Sequence, residues 1–202
     1  MSLEWMLIRG SGFVAFGFLA LATIWGLVLS LGVLPRSVKR LTMAHESLAV
    51  GSLVATVVHM GALSADEFIA FDAVDILVPG AAHWEPIAVA WGGFALYGLV
   101  IVIASFYLRS HIGQRSWRLL HFLTFGIFLS ALVHGLSAGT DTGHPAVMAM
   151  YVAVTALVVG LTVVRVAMVA SPASPARATV GRSRPRPPGS DRDPTAAPGG
   201  EG

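Results

Sequence analysis

Four histidines stand inside long apolar stretches, in two matched pairs, and they constrain this chain more than any other feature. His45 and His59 lie 14 positions apart on one hydrophobic segment; His121 and His134 lie 13 apart on another. At about 1.5 Å of rise per residue, each pair spans roughly 20 Å of helix. That fits inside a hydrocarbon core about 30 Å thick. An imidazole at such depth is costly and is read as functional by default. Two helices that each offer a ligand at two depths can hold two haems, one above the other, each clamped between histidines.

The setting is a membrane. A mean hydropathy of +0.74 with 12% charged residues belongs to integral membrane proteins. Five segments are long enough to span: 11–35, 41–63, 86–108, 119–140 and 145–164. Each reaches the length of about 20 residues that a helical span needs, and none alternates like a barrel strand. The expected fold is therefore all-α: a five-transmembrane-helix bundle over residues 1–170. Ala20-Leu21-Ala22 mimics a signal-peptide cleavage site, but the apolar run continues to Leu34. A signal peptide has a shorter core of about 7–15 residues, so the segment is read as a span.

Basic residues set the orientation. Arg36, Lys39 and Arg40 fall between the first two spans; Arg109, Arg115 and Arg118 fall between the third and fourth; six more arginines follow the fifth. Only Arg9 is left for the other side. The positive-inside rule puts the N-terminus outside and the C-terminus in the cytoplasm of a multi-pass cytoplasmic-membrane protein. His45 and His121 then share the inner level, and His59 and His134 the outer. The chain has no cysteine, which excludes disulfides, iron–sulfur ligation and covalently attached haem. Two non-covalent haem b groups are expected, the inner on His45/His121 and the outer on His59/His134. Beyond the second span, Ser64-Ala65-Asp66-Glu67 reads as a capping box that opens a short helix on the outer surface. From Ser171 onward the chain is rich in Pro, Ala, Gly, Ser and Arg, so residues 171–202 are expected to be a disordered basic tail.

These residues resemble the membrane domain of the ferric reductase and NADPH oxidase family, which includes the haem-binding membrane subunit of bacterial methionine sulfoxide reductase. The likeness lies in two helices with histidines 14 and 13 apart, in that order, separated by one histidine-free helix. Arg9, in Trp5-Met6-Leu7-Ile8-Arg9, looks like the arginine that family places near its outer haem. Trp117-Arg118-Leu119-Leu120-His121 looks like its lead into the second haem helix. The resemblance covers roughly residues 5–165. The family commonly has six spans, against five expected here. Its oxidase members also carry a cytosolic flavin and nicotinamide domain, which the 32 residues from Ser171 cannot form. The resemblance thus implies an electron-transfer subunit of an oxidoreductase with a separate donor, a flavoprotein or quinol. It also implies an acceptor outside: a reductase partner, ferric iron or a flavin.

Several other residues carry narrower expectations. Haem propionates are anionic and favour guanidinium partners, so Arg9 is assigned to the outer haem and Arg40 and Arg118 to the inner. Gly51 and Gly126 lie between the histidines of their helices, where a porphyrin face or a neighbouring helix could approach. Glu46 is either a surface carboxylate or an acceptor that orients His45. His83, Asp141 and His144 are outer-loop residues, either solvated or placed to bind a metal or dock an acceptor. At about 100° per residue, 14 positions return to within roughly 40° of one face, whereas 13 leave an offset near 140°. The fourth span must then twist locally, which Gly126, Ser130 and Gly135 could allow, or the two haems must sit at different azimuths.

Two readings compete. In the first, the chain is a diheme b-type cytochrome that carries electrons across the membrane. Iron with both axial sites filled suits that role. In the second, it is a small transporter or scaffold whose histidines bind a transition metal or relay protons. The lipid bilayer is a partner in both, and nucleic acid in neither.

Overall fold

A computed structural model describes residues 3–33 and 38–171, and the tail expected to be disordered lies from residue 172 outside them. Apolar segments in lipid must satisfy their own backbone groups, and helices do so. Among the described residues there are eight helices: α1 (Leu3–Leu31), α2 (Val38–Ala65), α3 (Ala73–Leu77), α4 (Pro86–Tyr107), α5 (Arg109–Ile112), α6 (Gln114–His121), α7 (Leu123–Ala138) and α8 (Pro145–Ala170). Five spans are long and apolar enough to cross a membrane, with α6 and α7 together making the fourth. Val54, Val57 and Val58 on α2, Ile101 on α4, and Val152 and Val163 on α8 are exposed. On a multi-pass membrane protein such faces meet lipid, not water.

Neighbouring spans close a ring: α1 packs on α2, α2 on α4, α4 on α7, and α7 on α1. The two histidine-bearing spans, α2 and the α6–α7 span, are thus diagonal across it, with α1 and α4 between them. Small groups bring the backbones together, as is usual in membranes. Ser52 is buried and donates from Oγ to the Ala15 carbonyl at 2.9 Å, fixing α2 on α1. α8 joins through side chains: Tyr151 and Val158 share a core with Phe16, Ala20, Leu27, Phe128 and Leu132. Gly135 leaves room for the Tyr151 hydroxyl. We call the Arg9 end of the bundle upper and the Arg118 end lower.

The sequence expectations are corrected at three places. First, α1 begins at Leu3 and not near residue 11, so Arg9 sits within a helix. Second, the Ser64–Glu67 pattern does not cap a helix. α2 runs through it to Ala65, and Ser64 Oγ donates back to the Met60 carbonyl. The short helix starts at Ala73, where Asp72 accepts from the Val74 and Asp75 N–H groups and Asp75 reciprocates. A capping box needs a free helix start, and at Ser64 the apolar run of α2 has not yet ended. Third, the fourth span breaks at Phe122, not at Gly126, Ser130 or Gly135. There the Phe122 N–H reaches the Leu119 carbonyl at 3.2 Å and the Phe125 N–H reaches that of Phe122 at 3.3 Å. Such three-residue turns wind about 20° further per residue than an α-helix. They reduce the mismatch left by a spacing of 13.

The α3 loop is held by an ion pair. His83 Nδ1–H donates to Asp75 at 2.9 Å and Nε2–H to the Ile69 carbonyl at 2.8 Å. With acceptors at both nitrogens, the imidazolium is favoured: the Ile69 carbonyl first, then the Asp75 carboxylate, raise the His83 pKa above its ordinary 6.5. The Asp72 N–H first, then His83, hold Asp75 below its ordinary 3.8. His83 therefore contributes stability that is complete below pH 6.5 and lost as pH rises through its raised pKa. Asp75 contributes stability that is present above 3.8 and lost as pH falls through its lowered value. Asp75→Asn is expected to move the His83 ring titration, followed by NMR, to lower pH. An unmoved midpoint contradicts the pairing.

Candidate functional site

Three of the four intramembrane histidines are seated in one repeated way. His45 Nδ1 lies 3.0 Å from the Ala22 carbonyl, His59 Nδ1 lies 2.9 Å from that of Ile8, and His134 Nδ1 lies 2.8 Å from that of Ala88. Four residues after each of those carbonyls comes a glycine: Gly26, Gly12 and Gly92. A helical carbonyl already accepts from the N–H four residues on, but its second lone pair stays open. Only a residue without a side chain at that fourth position lets an imidazole reach it. A Cβ on Gly26 would stand 3.0 Å from His45, one on Gly12 would stand 3.2 Å from His59, and one on Gly92 would stand 2.9 Å from His134. α1 therefore seats both α2 rings, and α4 seats the upper ring of α7.

A carbonyl can only accept, so Nδ1 carries the proton in all three rings. Nε2 is left with its lone pair, which is the form that binds a metal. Backing a ligand imidazole with a carbonyl is how proteins fix its tautomer and raise its basicity.

His121 differs. Among the described residues no hydrogen bond reaches its ring. Thirteen positions along α4 from Gly92, matching the spacing of His121 and His134, stands Ser105 and not a glycine. Ser105 is buried, and its Oγ donates to the Val102 carbonyl at 2.7 Å. His121 instead lies against Trp117 in a tilted ring contact, with centroids 5.2 Å apart and planes 31° apart. The Trp117 Nε1–H is buried and has no hydrogen-bond partner among the described residues. Such an orphan costs about 1–3 kcal/mol.

The four rings meet in the two pairs expected from their depths. Ring centroids are 6.0 Å apart for His45 and His121, and 6.4 Å apart for His59 and His134. A metal held trans between two imidazoles, at about 2.0–2.1 Å from each nitrogen and ~1.1 Å further to each ring centre, separates the centres by roughly 6.3 Å. Edge-to-face packing of two rings gives similar distances, and in three of the four rings the carbonyl contact leaves Nε2 with its lone pair. Among the described residues no three His, Cys, Asp or Glu side chains gather as an ion site. Each level offers two imidazoles, which is what a porphyrin iron needs from protein and fewer than a bare ion takes.

The upper pair opens onto a cavity of about 240 Å³ that runs from Trp5 and Arg9 down to Leu99 and Ile127. The lower pair does not line it. At its rim Arg9 forks onto Asp141, with Nε donating at 2.6 Å and Nη2 donating to the second carboxylate oxygen. The arginine assigned to a propionate thus has a protein carboxylate on two of its donors. Arg40 and Arg118 are exposed, and Arg118 Nε donates to the Gln114 carbonyl. Glu46 accepts from the Tyr107 hydroxyl at 2.8 Å and does not orient His45. The three loop residues are separate: Asp141 binds Arg9, His83 binds Asp75, and His144 Nδ1 accepts from the Ala146 N–H.

The glycines singled out from the sequence are not the ones that seat the rings. A Cβ on Gly51 would meet Phe18, and one on Gly126 would meet nothing. The usable signal is a second 14-residue spacing. Gly12 and Gly26 on α1 mirror His59 and His45 on its antiparallel neighbour.

Gly92→Ala is expected to displace the His134 ring and destabilise the bundle by about 1–3 kcal/mol, as overpacking does. Gly17→Ala meets nothing within 4 Å and should stay within about 0.5 kcal/mol of wild type. Unfolding of both variants in mixed micelles measures the difference. No protein-family model, curated protein or solved structure matches this chain.

Proposed function

We propose that this protein is a b-type membrane cytochrome with two haems, which carries electrons across the cytoplasmic membrane from a separate donor to an acceptor outside. One observation carries the reading. Two imidazole pairs stand at metal-spanning separation, and three of the four rings are held by carbonyls in the metal-binding tautomer. Bound haem iron supplies one-electron redox chemistry.

The chain's own residues do the rest. His59 and His134 hold the upper group, and His45 and His121 the lower. Leu19, Leu99 and Ile127 wall the space below the upper pair with apolar groups that keep water out. Two histidines at each level would hold a haem through protein nitrogen on both sides, a donor set suited to electron transfer. Arg9 and Asp141 together put a neutral pair at the upper rim, so a group with two carboxylates would meet polarity there without a net charge.

The sorting of arginines to one side supports an outside N-terminus, which makes the upper level the outer one. Resemblance to the ferric reductase family supports a flavoprotein or quinol donor at the inner face. The same resemblance supports a reductase partner, ferric iron or a flavin as acceptor. Metal transport is less well supported, because each level has only two ligands.

The test is haem content and a reduced-minus-oxidised spectrum, with the full chain produced under ample haem supply. Two haems per chain with sharp bands are expected. His59→Ala and His134→Ala should each leave one haem, and combining them should not remove the second. A colourless, folded wild-type preparation overturns the reading.

A further inference from the structure

We infer that Trp117 is a holding residue of the lower site: its indole face fixes the His121 ring, and its buried N–H donates to a carboxylate of the lower haem. This rests on the two-haem reading and extends it to a residue outside the ligand set.

Trp117 and His121 are one helical turn apart on α6, so their side chains share a face. Their rings lie in a tilted contact at 5.2 Å with planes 31° apart. This is the one ligand imidazole without a carbonyl behind it, at the level where the α4 position matched by spacing to Gly92 is Ser105. Something else must set its orientation, and the indole is the group in contact.

The indole nitrogen is a donor only. At a membrane interface a tryptophan normally puts that N–H into water or headgroups. Here it is buried and has no partner among the described residues. An acceptor that arrives with a ligand would satisfy it. Haem brings carboxylates on one edge and no other strong acceptor. The cations at this level do not answer that need from within, since Arg40 and Arg118 are exposed. A neutral buried donor is suited to a carboxylate edge that enters below the surface.

Two variants of the full chain separate the two roles. Trp117→Phe keeps an aromatic face and removes the N–H. Lower-site haem affinity is expected to fall about tenfold, in line with loss of a hydrogen bond to a charged group. The lower midpoint potential should move downward, because a carboxylate without its donor carries fuller negative charge and favours ferric iron. The upper haem should keep its affinity and potential, which also reports that the variant is folded. Haem dimethyl ester, which has no free carboxylate, should bind wild type and Trp117→Phe alike at the lower site. Trp117→Leu removes the stack too and should broaden the low-spin electron paramagnetic signal of the lower haem.

A Trp117→Phe protein with wild-type affinity and potential at the lower site overturns the donor role. A Trp117→Leu protein with an unchanged lower-haem signal overturns the stacking role. Failure of the cytochrome reading itself looks different: wild type then takes up no haem at either level. If Trp117→Phe cannot be purified, the indole ¹⁵N–H resonance of wild type decides. It should move downfield when ferrous haem is loaded, and a stationary signal refutes the bond.

Discussion

The bond from an imidazole Nδ1–H to a helical carbonyl four residues before a glycine is the interaction on which the site depends. It does three things at once. It satisfies a polar N–H inside lipid, where an unsatisfied group is costly. It fixes the tautomer, so that Nε2 carries a lone pair. It also sets how closely α2 can lie on α1, and α7 on α4, because each ring fills the space a side chain would take. Helix packing and imidazole tautomer are therefore one constraint here, and substitution at Gly12, Gly26 or Gly92 acts on both.

The ring of four spans follows from that constraint. α2 and α7 need carbonyls from other helices, and α1 and α4 supply them from the flanks. The histidines then point across the ring at two heights. α8 stands outside this exchange; it adds apolar cover through Tyr151 and Val158. The upper half is completed by the Arg9–Asp141 fork, which ties the start of α1 to the loop after α7. The lower half keeps a carbonyl behind His45 but has an aromatic contact at His121 where His134 has a carbonyl, and this makes the two levels chemically unequal.

Much of this is legible in the chain. Lipid leaves an apolar segment few options, so five helical spans follow from length and composition. Depth along a helix follows from residue count, and counting alone matches His45 with His121 and His59 with His134. What escapes a linear reading are choices between local alternatives of similar strength. Ser64–Glu67 has the same residue pattern as a true cap, yet it falls where α2 ends, at Ala65. The twist falls at Phe122, next to His121, although Gly126, Ser130 and Gly135 are as permissive. Gly51 and Gly126 draw attention because they share a helix with the histidines. The glycines that matter lie on the neighbours.

By itself the sequence determined the number of spans and the heights of the imidazoles, because both are one-dimensional properties of a helix in a slab of fixed thickness. The partner of each ring's second nitrogen was settled only by tertiary structure. So were the pairing of Arg9 with Asp141, the pairing of Glu46 with Tyr107, and the exceptional setting of His121. Those contacts depend on which face of one helix turns to another, and that rotation is set by the sum of many weak packing contacts that no local pattern records.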